Sequence, residues 1–444
     1  MVGRMPVVSR ERLRLREILQ GCQYESGVSQ WIKKLKDVYE SSEDPAAFFS
    51  DLTHYLSFAL TKEERSKYVN RVLEVVCQFG ASFLSPPSSK EKESGKEGGS
   101  GEEGDNDDEE DEDESGEELP LFLSQLFHWL LDHHAMEGLM ARLRVCLMLN
   151  RLLKLMGENA TILEDLFQKI YDNMQERLQD RVAAIRGQAV TALQRLQDPS
   201  DTACPIIKAF VFHLCADPSP LVRKAVIQCI AVTKSTLAHV IRRTKDFDDS
   251  VRLATYKTIS AKVHVRSMTI AQREDVLKRG LKDTSPQVRE VVKKDIIQAW
   301  LRHSKEDILK LLYVLDVENS NEPELADATL DAIFEGVPNA QLLQKFSFFE
   351  DGGGRLIPVE KISLEIVVYW RNLLKKFHAD GDEDHVELIV PELSVFCKYV
   401  RSFVMESMKD MDHHEVEEED KMGTQVLILK QFILMMKFFD LSDE

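Results

Sequence analysis

The sequence predicts an all-α protein built as a solenoid of stacked helix pairs, and three observations carry that prediction. Between Asp180 and Arg289 one short pattern recurs four times: Asp, four residues, then Val or Ile followed by Arg. The copies are Asp180 with Ile185 and Arg186, Asp217 with Val222 and Arg223, Asp246 with Val251 and Arg252, and Asp283 with Val288 and Arg289. Successive arginines lie 37, 29 and 37 residues apart, with an apolar helical stretch after each. A period of that size marks stacked supersecondary units rather than one closed globule. The composition agrees: 43% hydrophobic, with 14 Pro and 20 Gly, suits a mainly helical chain. At 444 residues the chain is also too long for one compact core, whereas an array of helix pairs needs no domain breaks.

Each position of the pattern has a physical task, and together they are the signature of a HEAT-type helix pair. The Asp belongs in the tight turn between the two helices, where it accepts from backbone N–H groups that open the second. The Val or Ile points into the core. The Arg bridges to the acid of the next unit. Asp180, Arg186, Asp217, Arg223, Asp246, Arg252, Asp283 and Arg289 are therefore expected to form a structural ladder.

Taken in order, residues 9–84 predict several amphipathic HEAT helices. Trp31, Leu35, Val38 and Tyr39 keep helical spacing, as do Phe48, Leu52, Tyr55, Leu56 and Ala59. Residues 85–118 are rich in Ser, Gly, Lys and Glu and then purely acidic, too polar to bury a core, and predict a disordered acidic loop inside the array. Ser85, before Pro86 at its edge, is a candidate phosphorylation site. Residues 119–305 are read as HEAT repeats with a basic groove. Their early stretch 142–156 looks like a degenerate copy with Arg144 in the arginine position. Ser219-Pro220 and Ser285-Pro286 fall in repeat turns, where Pro is the first helical residue. Residues 306–444 predict further HEAT-like helices without the signature, at 306–319, 326–337, 361–377 and 390–408. The last apolar helix is followed by no polar terminal unit, so the array is expected to continue or to be covered by a partner.

Several function classes find no support. The seven cysteines form no CxxC pair and read as buried reduced thiols. No stretch reaches the ~18 apolar residues of a membrane span. The Arg-rich start is broken by Glu11 and Glu17 and reads as a first solvated helix, not a transit peptide. Gly352, Gly353, Gly354 and Arg355 lack the GK[ST] of a phosphate-binding loop. The adjacent pairs His133-His134 and His413-His414 diverge by ~100° on a helix and read as surface histidines, not metal ligands. No GxSxG, HExxH or coupled Cys–His set is present. The expectation is no enzyme, no cofactor, no metal, no membrane and no small-molecule substrate.

The charge distribution is the functional signal. A net charge of −19 conceals 13 acids and no base in residues 101–118, and 21 Lys or Arg against 11 acids in residues 181–300, a local excess of 10. The candidate DNA-binding residues are Lys224, Arg242, Arg243, Lys245, Lys257, Lys262, Arg266, Arg273, Lys293 and Lys294. Of these, Lys224, Lys257, Lys293 and Lys294 lie one to five residues beyond a ladder arginine on the second helices, which predicts one shared groove. Few aromatics are interleaved, which disfavours stacking on single strands. A wide cationic groove suits sequence-independent phosphate contacts on a duplex. A solvated face with internal ion pairs stays open as the bland reading, and a HEAT scaffold or transport adaptor binding proteins as the rival function. The acidic run is a solubilising loop, a competitor for the basic groove or a binder of a basic partner segment.

Stretches 243–274, 299–320 and 353–370 resemble the HEAT-repeat G subunit of condensin, also called condensin subunit 3, as do 142–153 and 191–199. The resemblance runs from residue 45 onward, and the acidic insertion lies where that family carries one. Members are longer, so the chain resembles an N-terminal half. The resemblance implies a curved, non-catalytic solenoid that binds the kleisin subunit and, through it, the SMC ATPase pair. It implies double-stranded DNA held in a positive groove under a kleisin belt, anchoring condensin on mitotic chromosomes. It also implies location in the nucleus and on mitotic chromosomes, with a cytoplasmic pool.

Overall fold

The computed structural model describes residues 10–24, 27–84, 119–157, 162–318, 324–349, 355–410 and 418–439. The acidic run, Ser85, the glycines 352–354 and the pair His413-His414 lie outside the described residues. Every regular element among the described residues is helical, and the chain divides into two compact units, residues 1–231 and 232–444.

The first unit holds α1 (Arg10–Gly21), α2 (Val28–Glu40), α3 (Pro45–Thr61), α4 (Lys67–Ala81), α5 (Leu121–Asp132) and α6 (Leu139–Leu155). It continues with α7 (Glu164–Leu178), α8 (Ala183–Leu193), α9 (Pro205–Ala216) and α10 (Pro220–Cys229). α3 starts where Asp44 accepts the Ala46 N–H at 2.9 Å with Pro45 in the first turn, an arrangement that fixes a helix entry. The stripe Trp31, Leu35, Val38 of α2 is buried as its spacing predicts, and so are Phe48, Leu52 and Leu56 of α3. Aromatic edges close the core between helices far apart in sequence, with Phe79 and Phe122 ring centroids 4.9 Å apart. Pro220 begins α10, as expected of a turn proline.

The second unit holds α11 (Lys234–Arg242), α12 (Asp249–Lys262), α13 (Ile270–Leu281), α14 (Pro286–Val291), α15 (Ile297–His303) and α16 (Ile308–Val314). After these come α17 (Glu324–Phe334), α18 (Asn339–Lys345), α19 (Leu364–Ala379), α20 (Glu383–Ile389), α21 (Leu393–Asp410) and α22 (Glu418–Met435). α11 and α13 both open on reciprocal capping boxes, Thr233 with Thr236 and Thr269 with Gln272. α14 and α15 are one helix joined by a π-helical segment, Val292–Ile296, which inserts an extra residue and rotates the remainder of the helix. Trp370 anchors the later core, its indole N–H donating to the Ile389 carbonyl at 2.9 Å.

α13 crosses this kinked helix through Gly280. A Cβ there would stand 2.4 Å from Val292 Cγ2 and 3.0 Å from the Tyr256 ring. Gly280→Ala is expected to destabilise the second unit by about 1–3 kcal/mol through overpacking. Gly423→Ala, at an exposed helical site with nothing within 4 Å, should be neutral or stabilising. Thermal melts of the two variants compare them directly; equal melting temperatures would refute the close approach.

Two sequence expectations need correction here. Five cysteines are buried, but Cys215 and Cys397 are exposed; all seven are free thiols. Burial raises Cys77 and Cys146 to about 12 and Cys22 to about 11, so these remain protonated and unreactive. His133 and His134 are not surface residues but half-buried at the end of α5. The His133 ring lies 4.4 Å from Trp129 and its Nδ1 is 2.7 Å from the Trp129 carbonyl.

Candidate nucleic-acid interface

The ladder supplies the frame. Each Asp accepts the N–H two residues on: Val182 to Asp180 at 2.9 Å, Ser219 to Asp217 at 2.9 Å, Asp248 to Asp246 at 3.0 Å and Ser285 to Asp283 at 2.8 Å. Ile185, Val222, Val251 and Val288 are fully buried. Arg186 bridges to Asp217 through Nε and Nη2, at 2.8 and 2.7 Å, and Arg252 to Asp283 through the same two nitrogens at 2.8 and 2.9 Å. Each ladder arginine also donates to the carbonyl of its own turn, Arg223 to Asp217 at 2.9 Å and Arg289 to Asp283 at 2.5 Å. Burial, the largest influence, would raise the carboxyls of Asp180, Asp217 and Asp283, but the arginine hydrogen bonds, the backbone N–H bonds and the arginine charges together outweigh it and hold all three below the ordinary range.

The degenerate copy uses a different arginine from the one its sequence suggests. Arg142, not Arg144, makes the earlier rung, reaching Asp180 at 2.7 Å and the carbonyls of Met136 and Glu137 at 3.0 and 2.7 Å. Arg144 is 1% exposed and donates to the carbonyls of Ala59, Leu60, Lys62 and Glu64 instead. It closes the C-terminal end of α3, where backbone carbonyls lack helical partners.

With Arg142 in place the ladder defines a register. The fifth residue after each arginine is exposed in every pair: Leu147, Thr191, Gln228, Lys257 and Lys294. In the first unit this position is uncharged; on α12 and the helix beside it in the second unit it is cationic.

The ten basic candidates then separate by their neighbours. Arg243 pairs with Asp246 at 3.3 Å, Lys245 with Asp275 at 3.0 Å, Lys293 with Glu335 at 3.3 Å, and Lys294 with Glu290. Asp275 also holds Arg279 at 2.6 Å; burial would raise its carboxyl, but hydrogen bonds from Lys245 and Arg279 hold it low. Arg273 is half-buried and clamps the carbonyls of Val265 and Val314, a framework role. Lys262 is exposed and engaged by a neighbour. Arg242, Lys257 and Arg266 of the second unit are exposed with no ion-pair partner among the described residues, and Lys224 stands half-buried on α10 of the first. The bland reading thus accounts for several of the ten but not for these.

Sequence reasoning missed His264 and His303, which stack in the second unit with centroids 4.2 Å apart. They are 39 residues apart, so no local pattern joins them. Among the described residues no group of three or more His, Cys, Asp or Glu is arranged to hold a metal.

Known proteins are similar to this chain in sequence and in fold. A HEAT repeat model matches residues 206–232, spanning the Asp217–Arg223 copy, and a model described as a HEAT repeat associated with sister chromatid cohesion matches residues 275–292. The condensin complex subunit 3 of Xenopus laevis is 38% identical over 417 residues, 93% of this chain, and that of Homo sapiens is 36% identical over 414 residues, 92% of it. The chain spans 38% of the length of either relative. The crystal structure of the S. pombe condensin Cnd3-Cnd2 subcomplex matches with a TM-score of 0.73 at 20% identity, covering 97% of this chain and 49% of that one, a likeness of fold. On the sequence relationship, carried along nearly the whole chain, the protein belongs to the condensin complex subunit 3 family.

Proposed function

We propose that this chain is a non-catalytic condensin subunit that binds double-stranded DNA, without sequence preference, through the cationic surface of its second unit. In this reading it joins the kleisin subunit, and through it the SMC ATPase pair, and anchors the complex on mitotic chromosomes in the nucleus. The observation that carries it is the ladder register: exposed, uncharged in the first unit and cationic at Lys257 and Lys294 in the second. Lys257, Arg242 and Arg266 need give up no internal partner to meet a phosphate, so they should dominate. Lys293 and Lys294 must first release Glu335 and Glu290 and should contribute less. The Cnd2 partner in the matching crystal structure supports the kleisin half of the reading by analogy.

Fluorescence anisotropy with a labelled duplex, stepped through salt, tests it on this chain alone and with a kleisin fragment. Removing one phosphate-binding cation should lower log K by ~0.9 at 0.1 M salt and reduce the salt slope by about one. The triple variant Arg242→Glu, Lys257→Glu, Arg266→Glu is expected to abolish measurable binding at physiological salt. Unaltered binding would move the groove off this surface. Absence of binding even with kleisin would favour a scaffold that holds only proteins.

A further inference from the structure

In the second unit a cationic cluster lies with no carboxylate paired to it among the described residues. His264, in the turn after α12, and His303, at the end of α15, are both exposed and stack ring on ring, 4.2 Å between centroids and 22° between planes. Among the described residues no carboxylate is within ion-pair reach of either ring, or of Arg266, Arg302 and Lys305 beside them. The contrast is with Lys245, Lys293 and Lys294, each of which has one.

The turn that carries His264 is held firmly. Arg273 reaches in from α13 and donates through Nε to the Val265 carbonyl at 3.0 Å, tying the same turn to α16 through Val314. The Arg266 N–H donates to His264 Nδ1 at 3.1 Å. That bond assigns the neutral ring's proton to Nε2, leaving Nε2–H as its free donor. A cation at a helix end complements the helix dipole, which accounts for Arg302 at the end of α15. It does not account for two titratable rings stacked without a counter-charge.

We propose that His264 and His303, with Arg266 and Arg302, form a site for a phosphodiester oxyanion that takes up a proton as it binds, so that duplex affinity rises as pH falls. This rests on the DNA reading above. The charged groups around the pair are Arg302 of α15, Arg266 of the turn, Lys262 of α12, Arg273 of α13, Lys305 and Glu306 after α15, and Asp316, which acts on Arg273. Burial, then His264, then Arg302 depress the pKa of His303 in the free protein. A phosphate oxygen against the ring reverses that balance, so the bound state holds the extra proton. By linkage, affinity must then increase with acidity.

The test is duplex anisotropy on the full chain at constant ionic strength from about pH 8 to about pH 5.5, spanning the histidine range. The expected result is a Kd about tenfold tighter at the acid end, the change that a rise of about one unit in a ring's pKa on binding produces. His264→Gln with His303→Gln should flatten the response, so that affinity no longer tightens toward the acid end. His303→Lys, charged throughout, should bind tightly at the alkaline end and respond little to pH. Binding that does not change with pH, an undiminished response in the double variant, or no gain from His303→Lys overturns the proposal. A total lack of duplex binding by the unmodified chain instead removes the DNA reading on which it stands.

Discussion

Replacing Arg144 with methionine is expected to destabilise the first unit by about 3 kcal/mol, since it removes the shared donor of four carbonyls at the end of α3, the Leu60 carbonyl among them buried. The guanidinium reaches Ala59 at 3.0 Å, Leu60 at 2.9 Å and Glu64 at 2.6 Å, as well as Lys62, and no carboxylate takes part. Its positive charge is matched by the negative end of α3 rather than by an ion partner. For a unit of this size such a loss corresponds to a melting temperature lower by about 6–12 °C. Arg144→Lys keeps the charge but not the planar fork, and should recover only part of the loss. A thermal melt followed by circular dichroism measures both, and hydrogen exchange in the last turn of α3 localises the effect. A shift no larger than that of an exposed arginine, for which Arg181→Met serves as comparison, would sink the assignment.

Asp217→Ala should cost a similar amount, about 3–5 kcal/mol, by leaving a largely buried arginine without its acid. That single carboxylate accepts two bonds from Arg186, one from the Ser219 N–H at 2.9 Å and one from the His213 ring at 3.2 Å. Its pKa is depressed in the fold, against burial, by those donors. A depressed carboxylate stabilises the fold fully above its unfolded value of about 3.9, and that stabilisation is lost as pH falls from there through the folded value. With Asp180 and Asp283 shifted the same way, acid unfolding should be centred below about pH 4. Asp217→Asn should reduce the stability difference between neutral and acid pH, measured by urea midpoints at each; an unchanged difference would mean that the rung carries no linkage.

The ladder was legible because its parts are local: an acid and an arginine six residues apart close one turn, and a Val or Ile beside the arginine marks the core. The earlier rung was not, since Met136 stands where the other copies have Asp and Leu143-Arg144 mimics the expected apolar-Arg pair two residues late. Only contacts separate the two arginines, and those of Arg144 are to backbone carbonyls about which side-chain patterns carry no information. The basic surface shows the same division. Counting charges finds the excess in residues 181–300, but the carboxylate that occupies Lys293 belongs to Glu335, 42 residues away. Which lysines are neutralised, and which histidines meet, is decided by tertiary packing.

The rungs and the exposed pairs also differ in how they should meet concentrated salt. At 1 M the screening length falls to about 3 Å, which suppresses exposed charge pairs but barely reaches largely buried, doubly hydrogen-bonded ones such as Arg186–Asp217 at 2.7 Å. Brine strong enough to strip any polyanion from Lys257 and Arg266 should therefore leave the helix stacking intact. For the biochemist this makes a high-salt wash a gentle way to free the protein of carried-over nucleic acid before any affinity is measured.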